Sequence, residues 1–201
     1  MPDYFVDGDG DETLHNKLGI VDENLLRKRE DDIVALHISE VLNELDPREF
    51  DFDYLLALHR RLFGEIYDFA GQIRTVNIMK PDGEAPFAYA EFIPSEAARI
   101  FTQLKHDRYL VGLKKAEFVQ KISALAADLN ALHPFREGNG RTIRLFLALL
   151  AKHAGYIIDY SQVSHEEVIL ADKLAFGGKY DVIVKVYNRI TTPAANQHSL
   201  R

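Results

Sequence analysis

The residue types that could do chemistry together lie between His133 and Arg144. Gly138, Asn139 and Gly140 are expected to adopt positive φ values and turn successive backbone N–H groups toward one point. At the start of a helix those groups and the helix dipole attract phosphate. Arg141 and Arg144 fall three apart on the first turn of that helix, so they share a face and can clamp different oxygens of a polyphosphate. Glu137 beside the same anion would be repelled unless a cation intervened. Mg²⁺ resolves the conflict, because it prefers oxygen and is commonly held by one or two carboxylates plus substrate phosphates. His133 can then accept a proton from a hydroxyl attacking phosphorus, provided the imidazole is neutral beforehand. Nothing in the loop is itself a persuasive nucleophile, so the hydroxyl comes from outside. Taken singly, the histidine reads as structural, the glycines as a turn and the arginines as a solvated face. One phosphate-centred function uses all of them within a single loop.

Two helices must hold that loop. Before it, Phe118, Ile122, Leu125, Ala126 and Leu129 recur at helical spacing over about Lys114 to Ala131. Pro134 disfavours helical dihedrals at His133, so the helix should stop there and aim the imidazole from a fixed end. After the loop, Ile143, Leu147, Leu150, Ala151 and Ala154 carry a second buried stripe that ends at Gly155.

Further helices are expected over Asp22 to Leu45, on an apolar stripe of Leu25, Ile33, Leu36 and Val41, and over Asp53 to Tyr67, burying Leu55, Leu58 or His59, Leu62 and Ile66. Asp46, Pro47 and Glu49 supply a start signal between them. A helix follows Pro94, Ser164 opens another with a capping box, and Tyr180, Ile183, Val184 and Tyr187 form the seam of a last one. Residues 72 to 92 change character: β-branched residues alternate weakly, Pro81, Asp82 and Gly83 mark a turn, and an aromatic run follows, which predicts a small hairpin or flap. The fold class is therefore all-α, a helical bundle with a small β-hairpin flap. Residues 1–21 are expected as an N-terminal extension packing on a domain of 22–190, with 191–201 as a tail.

Composition narrows the partners. The 201 residues, 47% hydrophobic, suffice for one core and do not require two. A formal charge of −7 disfavours direct nucleic-acid binding, and the absence of cysteine excludes disulfides and thiol chemistry. The acidic start lacks the pattern of a signal peptide and no apolar run is long enough for a membrane, so a cytoplasmic site of action is expected.

The run His133, Phe135, Glu137, Gly138, Asn139, Gly140, Arg141, Arg144 resembles the signature of the Fic family at every fixed position. Gly71 to Arg74, Asn77 and Ile78, Phe87 to Ile93, and Lys17 to Ile20 extend the likeness to most of the chain. The resemblance implies protein adenylylation: transfer of AMP from ATP to a Ser, Thr or Tyr hydroxyl of a target protein. It implies His133 as general base, Glu137 as Mg²⁺ ligand and Asn139 with the nearby backbone, Gly138 and Gly140 included, at the α-phosphate. Arg141 and Arg144 are implied at the β and γ phosphates, and Phe135 as a buried pin. The flap residues Ile73, Arg74, Thr75, Val76, Asn77 and Ile78 would pair with an extended target segment. Gly140 stands where the phosphorylating Doc type has lysine, which favours AMP transfer; other members transfer UMP or phosphocholine from other donors. A module that binds nucleotide or protein without turnover is the rival from outside enzymology. Many Fic proteins carry an inhibitory helix, Ser or Thr followed four residues later by Glu. Ser39, Ser161 and Ser164 are not followed so. The chain thus resembles members held by a separate small antitoxin, whose targets include type II topoisomerases. It also resembles the domains of effectors translocated into host cells.

Overall fold

The computed structural model describes residues 13–44, 49–79 and 86–194. Seven α-helices are present among them: α1 (Glu23–Leu42), α2 (Phe52–Phe63), α3 (Ile93–His106), α4 (Lys115–Leu132), α5 (Asn139–His153), α6 (His165–Phe176) and α7 (Tyr180–Ile190). The start signal expected at Asp46 and Pro47, and the Pro81 to Gly83 turn, lie outside the described residues.

Four of the seven helices begin where the sequence supplies an acceptor or a fixed φ. The Asp22 and Asp51 side chains accept from Leu25 N–H and Tyr54 N–H at the starts of α1 and α2. Pro94 occupies the first turn of α3, and Ser164 and Glu167 close a capping box on α6.

The core is continuous through α2, α3, α4 and α5. Phe146 of α5 is fully buried and meets Phe50, Tyr54 and Phe101 at ring-centroid distances of 5.7, 6.1 and 5.8 Å. Helices α4 and α5 bury Ile122, Leu129, Leu147 and Leu150 completely. The loop between them is therefore suspended from two immobile ends.

The buried face of α1 differs from the expected stripe. Leu26, Glu30, Val34, His37 and Val41 point inward, whereas Leu25 and Leu36 are exposed. The spacing of four, four, three and four residues is regular, but two polar residues occupy it, so apolar periodicity selected the neighbouring face. A polar group on a buried stripe needs a partner, and both have one: Glu30 takes the Tyr67 hydroxyl, and His37 Nδ1 lies 3.2 Å from the Leu62 carbonyl oxygen.

The two-stranded antiparallel sheet lies away from the flap. It pairs β1 (Tyr156–Ile158) with β2 (Thr191–Pro193), the latter within the segment expected as a tail. In the flap, one antiparallel bridge joins Met79 and Pro86, and Phe87 N–H donates to the Ile78 carbonyl at 3.1 Å. Ahead of α1, Lys17 N–H donates to the Ile66 carbonyl at 2.8 Å and Thr13 is buried. No helix among the described residues is long and apolar enough to cross a membrane.

Because Phe146 anchors α5 beneath the loop, Phe146→Ala should cost about 3–5 kcal/mol of stability. Chemical denaturation of the two proteins measures the difference.

Candidate active site

Helix α4 stops at Leu132, and His133 caps it in the left-handed region at φ 46°, ψ 60°. The proline that follows removes the right-handed alternative. The His133 N–H donates to the Leu129 carbonyl at 3.0 Å and the His133 carbonyl accepts from Arg74 Nε at 2.7 Å. The imidazole lies flat on the Phe87 ring, with centroids 3.7 Å apart and planes 13° apart. Helix end and flap together set the orientation of the ring.

Phe135 and Asn139 lock the loop from within. Phe135 N–H donates to Asn139 Oδ1 at 2.9 Å, and Asn139 Nδ2 donates to the Phe135 carbonyl at 2.8 Å. Asn139 is 3% exposed, so its amide is engaged inside the loop; what it can present to an anion is its backbone N–H. Of the three residues expected at positive φ, only Gly138 has it, at 77°. Asn139 and Gly140 already belong to α5, and the donors this turn can offer an anion are the first-turn N–H groups that a helix leaves without internal partners. A Cβ on Gly138 would lie 2.4 Å from the Phe63 ring, so close packing as well as backbone angle requires glycine there. A Cβ on Gly140 would lie 3.1 Å from Arg144 Nη1; its absence leaves room for the guanidinium to fold back over the helix start.

His59, in α2 and outside the loop, holds this geometry in place. It is fully buried and sandwiched between Phe135, at 3.8 Å and 9°, and Phe63, at 4.8 Å and 30°. Gly71 N–H donates to Nδ1 at 2.8 Å, so Nδ1 is the acceptor and the proton resides on Nε2. Nε2–H then donates to the Glu137 carbonyl at 2.9 Å. Burial lowers the pKa of the ring to about 4, with the Arg141 charge adding to that effect and the Glu137 bond opposing it. A neutral imidazole thus spans from the flap entrance to the middle of the loop.

Arg74, expected with the target-docking residues, faces inward. It is 2% exposed, and besides the His133 carbonyl its guanidinium donates to the carbonyls of Val76, Ala88 and Leu132. Its five donors in a rigid fork suit this cluster of acceptors. It therefore ties the flap to the end of α4 and cannot reach a docked segment. Thr75 and Asn77 remain exposed; Ile73, Val76 and Ile78 are half-buried. Asn77 Oδ1 accepts from Ala90 N–H at 2.9 Å, which braces the opposite arm of the flap.

Beside the loop opens a cavity of about 740 Å³. Arg136, Glu137, Gly138, Gly140, Arg141 and Arg144 line it, facing Leu14 and the α1 residues Glu23, Leu26, Arg27, Glu30 and Asp31. His133 is not among its lining residues. Arg141 meets Glu30, lies 3.2 Å from Asp31 and 3.5 Å from Glu137, and sits 5.0 Å above the Phe63 ring. It is thus heavily paired, which the spacing of the two arginines did not indicate. Glu137 Oε1 also accepts from Gly138 N–H at 2.8 Å, while the side chain stays 45% exposed toward the cavity.

The sequence reading missed His59 as a support, Phe63 as the floor of the loop, Glu30 as a partner of Arg141 and Tyr67 as the donor to Glu30. The available signal was His59, Phe63 and Tyr67 at a spacing of four, which places three rings in line with the loop.

A family model described as Fic/DOC matches residues 49–151, and the chain belongs to that family. The protein adenylyltransferase VbhT of Bartonella schoenbuchensis is 37% identical over 89% of this chain, which spans only 37% of VbhT. The probable protein adenylyltransferase Fic of Escherichia coli K12 is 31% identical over 92% of this chain and 90% of its own length. Among solved structures, the BepC effector of Bartonella tribocorum, with bound AMPPNP, superposes with a TM-score of 0.87 at 30% identity, covering 96% of this chain and 97% of that one.

Because His59 is neutral in the folded state down to about pH 4, the unfolded chain binds the extra proton between there and its ordinary value of about 6.5. Stability should therefore fall as pH drops through that window, with His59 contributing about 3 kcal/mol of the loss in full. Urea midpoints measured against pH should show a weaker slope for His59→Gln than for the wild type.

Proposed function

We propose that this chain is a protein adenylyltransferase that moves AMP from ATP to a Ser, Thr or Tyr hydroxyl of a target protein. The observation that carries the reading is the pinned loop itself: at its start the His133 imidazole stacks on flap residue Phe87, and at its end arginines and the first turn of α5 line a cavity large enough for a nucleotide. The names of VbhT and the Escherichia coli Fic protein, and the AMPPNP held by BepC, support the same donor and reaction. The catalytic unit is assigned to residues 22–190, with 13–21 packed against its entrance.

In this reading the first-turn N–H groups of α5 receive the α-phosphate. Arg141 and Arg144 hold the outer phosphates. A target segment lies along Thr75 to Ile78 and brings its hydroxyl to His133, whose imidazole takes the proton. The hydroxyl oxygen bonds to the α-phosphorus, the bond to the bridging oxygen breaks, and pyrophosphate leaves.

Glu137 fits a Mg²⁺ ligand. Its carboxylate faces the cavity, one oxygen is oriented by Gly138 N–H, and no cluster of three carboxylate or imidazole groups among the described residues could hold a metal alone. Further ligands would come from phosphate and water, as Mg²⁺ prefers. When bound, the ion would neutralise phosphate charge beside Glu137.

A second cavity of about 430 Å³ lies along Ile38, Leu42, Leu145, Tyr156 and Ile158, with Arg141 and Arg144 at its edge. An apolar groove beside the nucleotide arginines suits a separate antitoxin that reaches Arg144. The toxin role, a type II topoisomerase as target and action in the cytoplasm follow from the resemblance to family members held by a separate antitoxin. Action after translocation into a host cell is the counterpart suggested by the Bartonella effectors.

Incubated with a cell lysate and Mg²⁺, the protein should label target bands from ATP bearing a marked α-phosphate, and not from UTP or CDP-choline. His133→Ala should abolish the labelling. Bands that persist in the variant would overturn the role of His133, and labelling from another donor would overturn AMP transfer.

A further inference from the structure

Beside the loop, side chains from three separate parts of the chain converge on Arg141. The Tyr67 hydroxyl donates to Glu30 Oε2, and Glu30 Oε1 accepts from Arg141 Nη2, linking residues 37 and 111 positions apart. Glu30 and Tyr67 are 5% and 2% exposed. A buried carboxylate without partners is strongly unfavourable, so position 30 would carry an apolar side chain like its neighbours Leu26 and Val34 if packing were its only task. Asp31 and Glu137 also approach Arg141, but their side chains are 67% and 45% exposed and such ion pairs orient weakly. Glu30 is the contact that fixes the guanidinium over the Phe63 ring.

We propose that Glu30 is a positioning residue for Arg141 and that the Tyr67 hydroxyl holds the Glu30 carboxylate in place. The pair would then set the site's preference for a polyphosphate over a monophosphate. This inference rests on reading the 740 Å³ cavity as the ATP site. Tyr67 also lines this cavity, but it is 2% exposed and its hydroxyl is donated to Glu30, so its influence on nucleotide should pass through Arg141 and appear beyond the α-phosphate. Burial first, and then the Glu30 bond, push the Tyr67 pKa far above its ordinary value, which keeps the hydroxyl a donor throughout the working pH range. The ring itself stacks on Phe69 with centroids 4.7 Å apart, a contact that Tyr67→Phe retains.

The test compares wild type, Tyr67→Phe and Glu30→Gln of the full chain for binding of ATP and of AMP by calorimetry, and for KM and kcat in target labelling. Tyr67→Phe should weaken ATP binding and raise KM about three- to tenfold, leave kcat within about twofold, and leave AMP binding unchanged. Glu30→Gln should act in the same sense. In an Arg141→Ala background, Tyr67→Phe should add nothing, since its effect passes through the missing guanidinium. Equal losses for ATP and AMP, unchanged ATP binding, or additive effects with Arg141→Ala would overturn the proposal. The calorimetric arm does not need turnover. A wild type that binds ATP but labels no protein would therefore sink the transferase reading and still decide the role of Glu30.

Discussion

His59 has no exposed surface, and each of its ring nitrogens has one partner: Gly71 N–H on one side and the Glu137 carbonyl on the other. Those bonds permit a single neutral tautomer, because a second ring proton would face a donor. The ring also separates Phe135 from Phe63, so it fixes the loop both through a polar bond and through stacking. Asn139 closes the same loop on Phe135, and Phe63 in turn underlies Gly138 and Arg141. The turn that opens α5 is therefore rigid because a buried aromatic column stands behind it. A loop preorganised in this way need not reorganise around a nucleotide, which is where electrostatic catalysis gains most.

Arg74 joins the flap to the C-terminal end of α4 through four carbonyls, so flap and His133 move as one body. The α1 helix supplies the opposite wall, and its acidic residues balance the arginines that a triphosphate would meet. An imidazole at one end of a short turn and an arginine-lined cavity at the other would suit transfer from a bound nucleotide to a hydroxyl arriving along the flap.

The helices around the loop were legible in the sequence, because Phe118 to Leu129 and Ile143 to Ala154 keep strict apolar spacing. The family signature marked the loop itself. What stayed hidden has physical causes. On α1 the buried stripe contains Glu30 and His37, so the apolar pattern pointed to Leu25 and Leu36, which are exposed. Arg74 looked like a surface residue because a buried guanidinium is identified only by the carbonyls around it. The three-residue strand Thr191–Pro193 was too short to read and owes its form to pairing with Tyr156–Ile158. Glycine spacing could not show that Gly140 is helical and that only Gly138 is left-handed.

Nitrogen NMR of the imidazole rings tests the central constraint most directly. The His59 spectrum should show Nε2 protonated and Nδ1 bare, with no change on acidification until about pH 4. A His59 ring that carries its proton on Nδ1, or that titrates in the folded protein close to the ordinary histidine value of about 6.5, would contradict it.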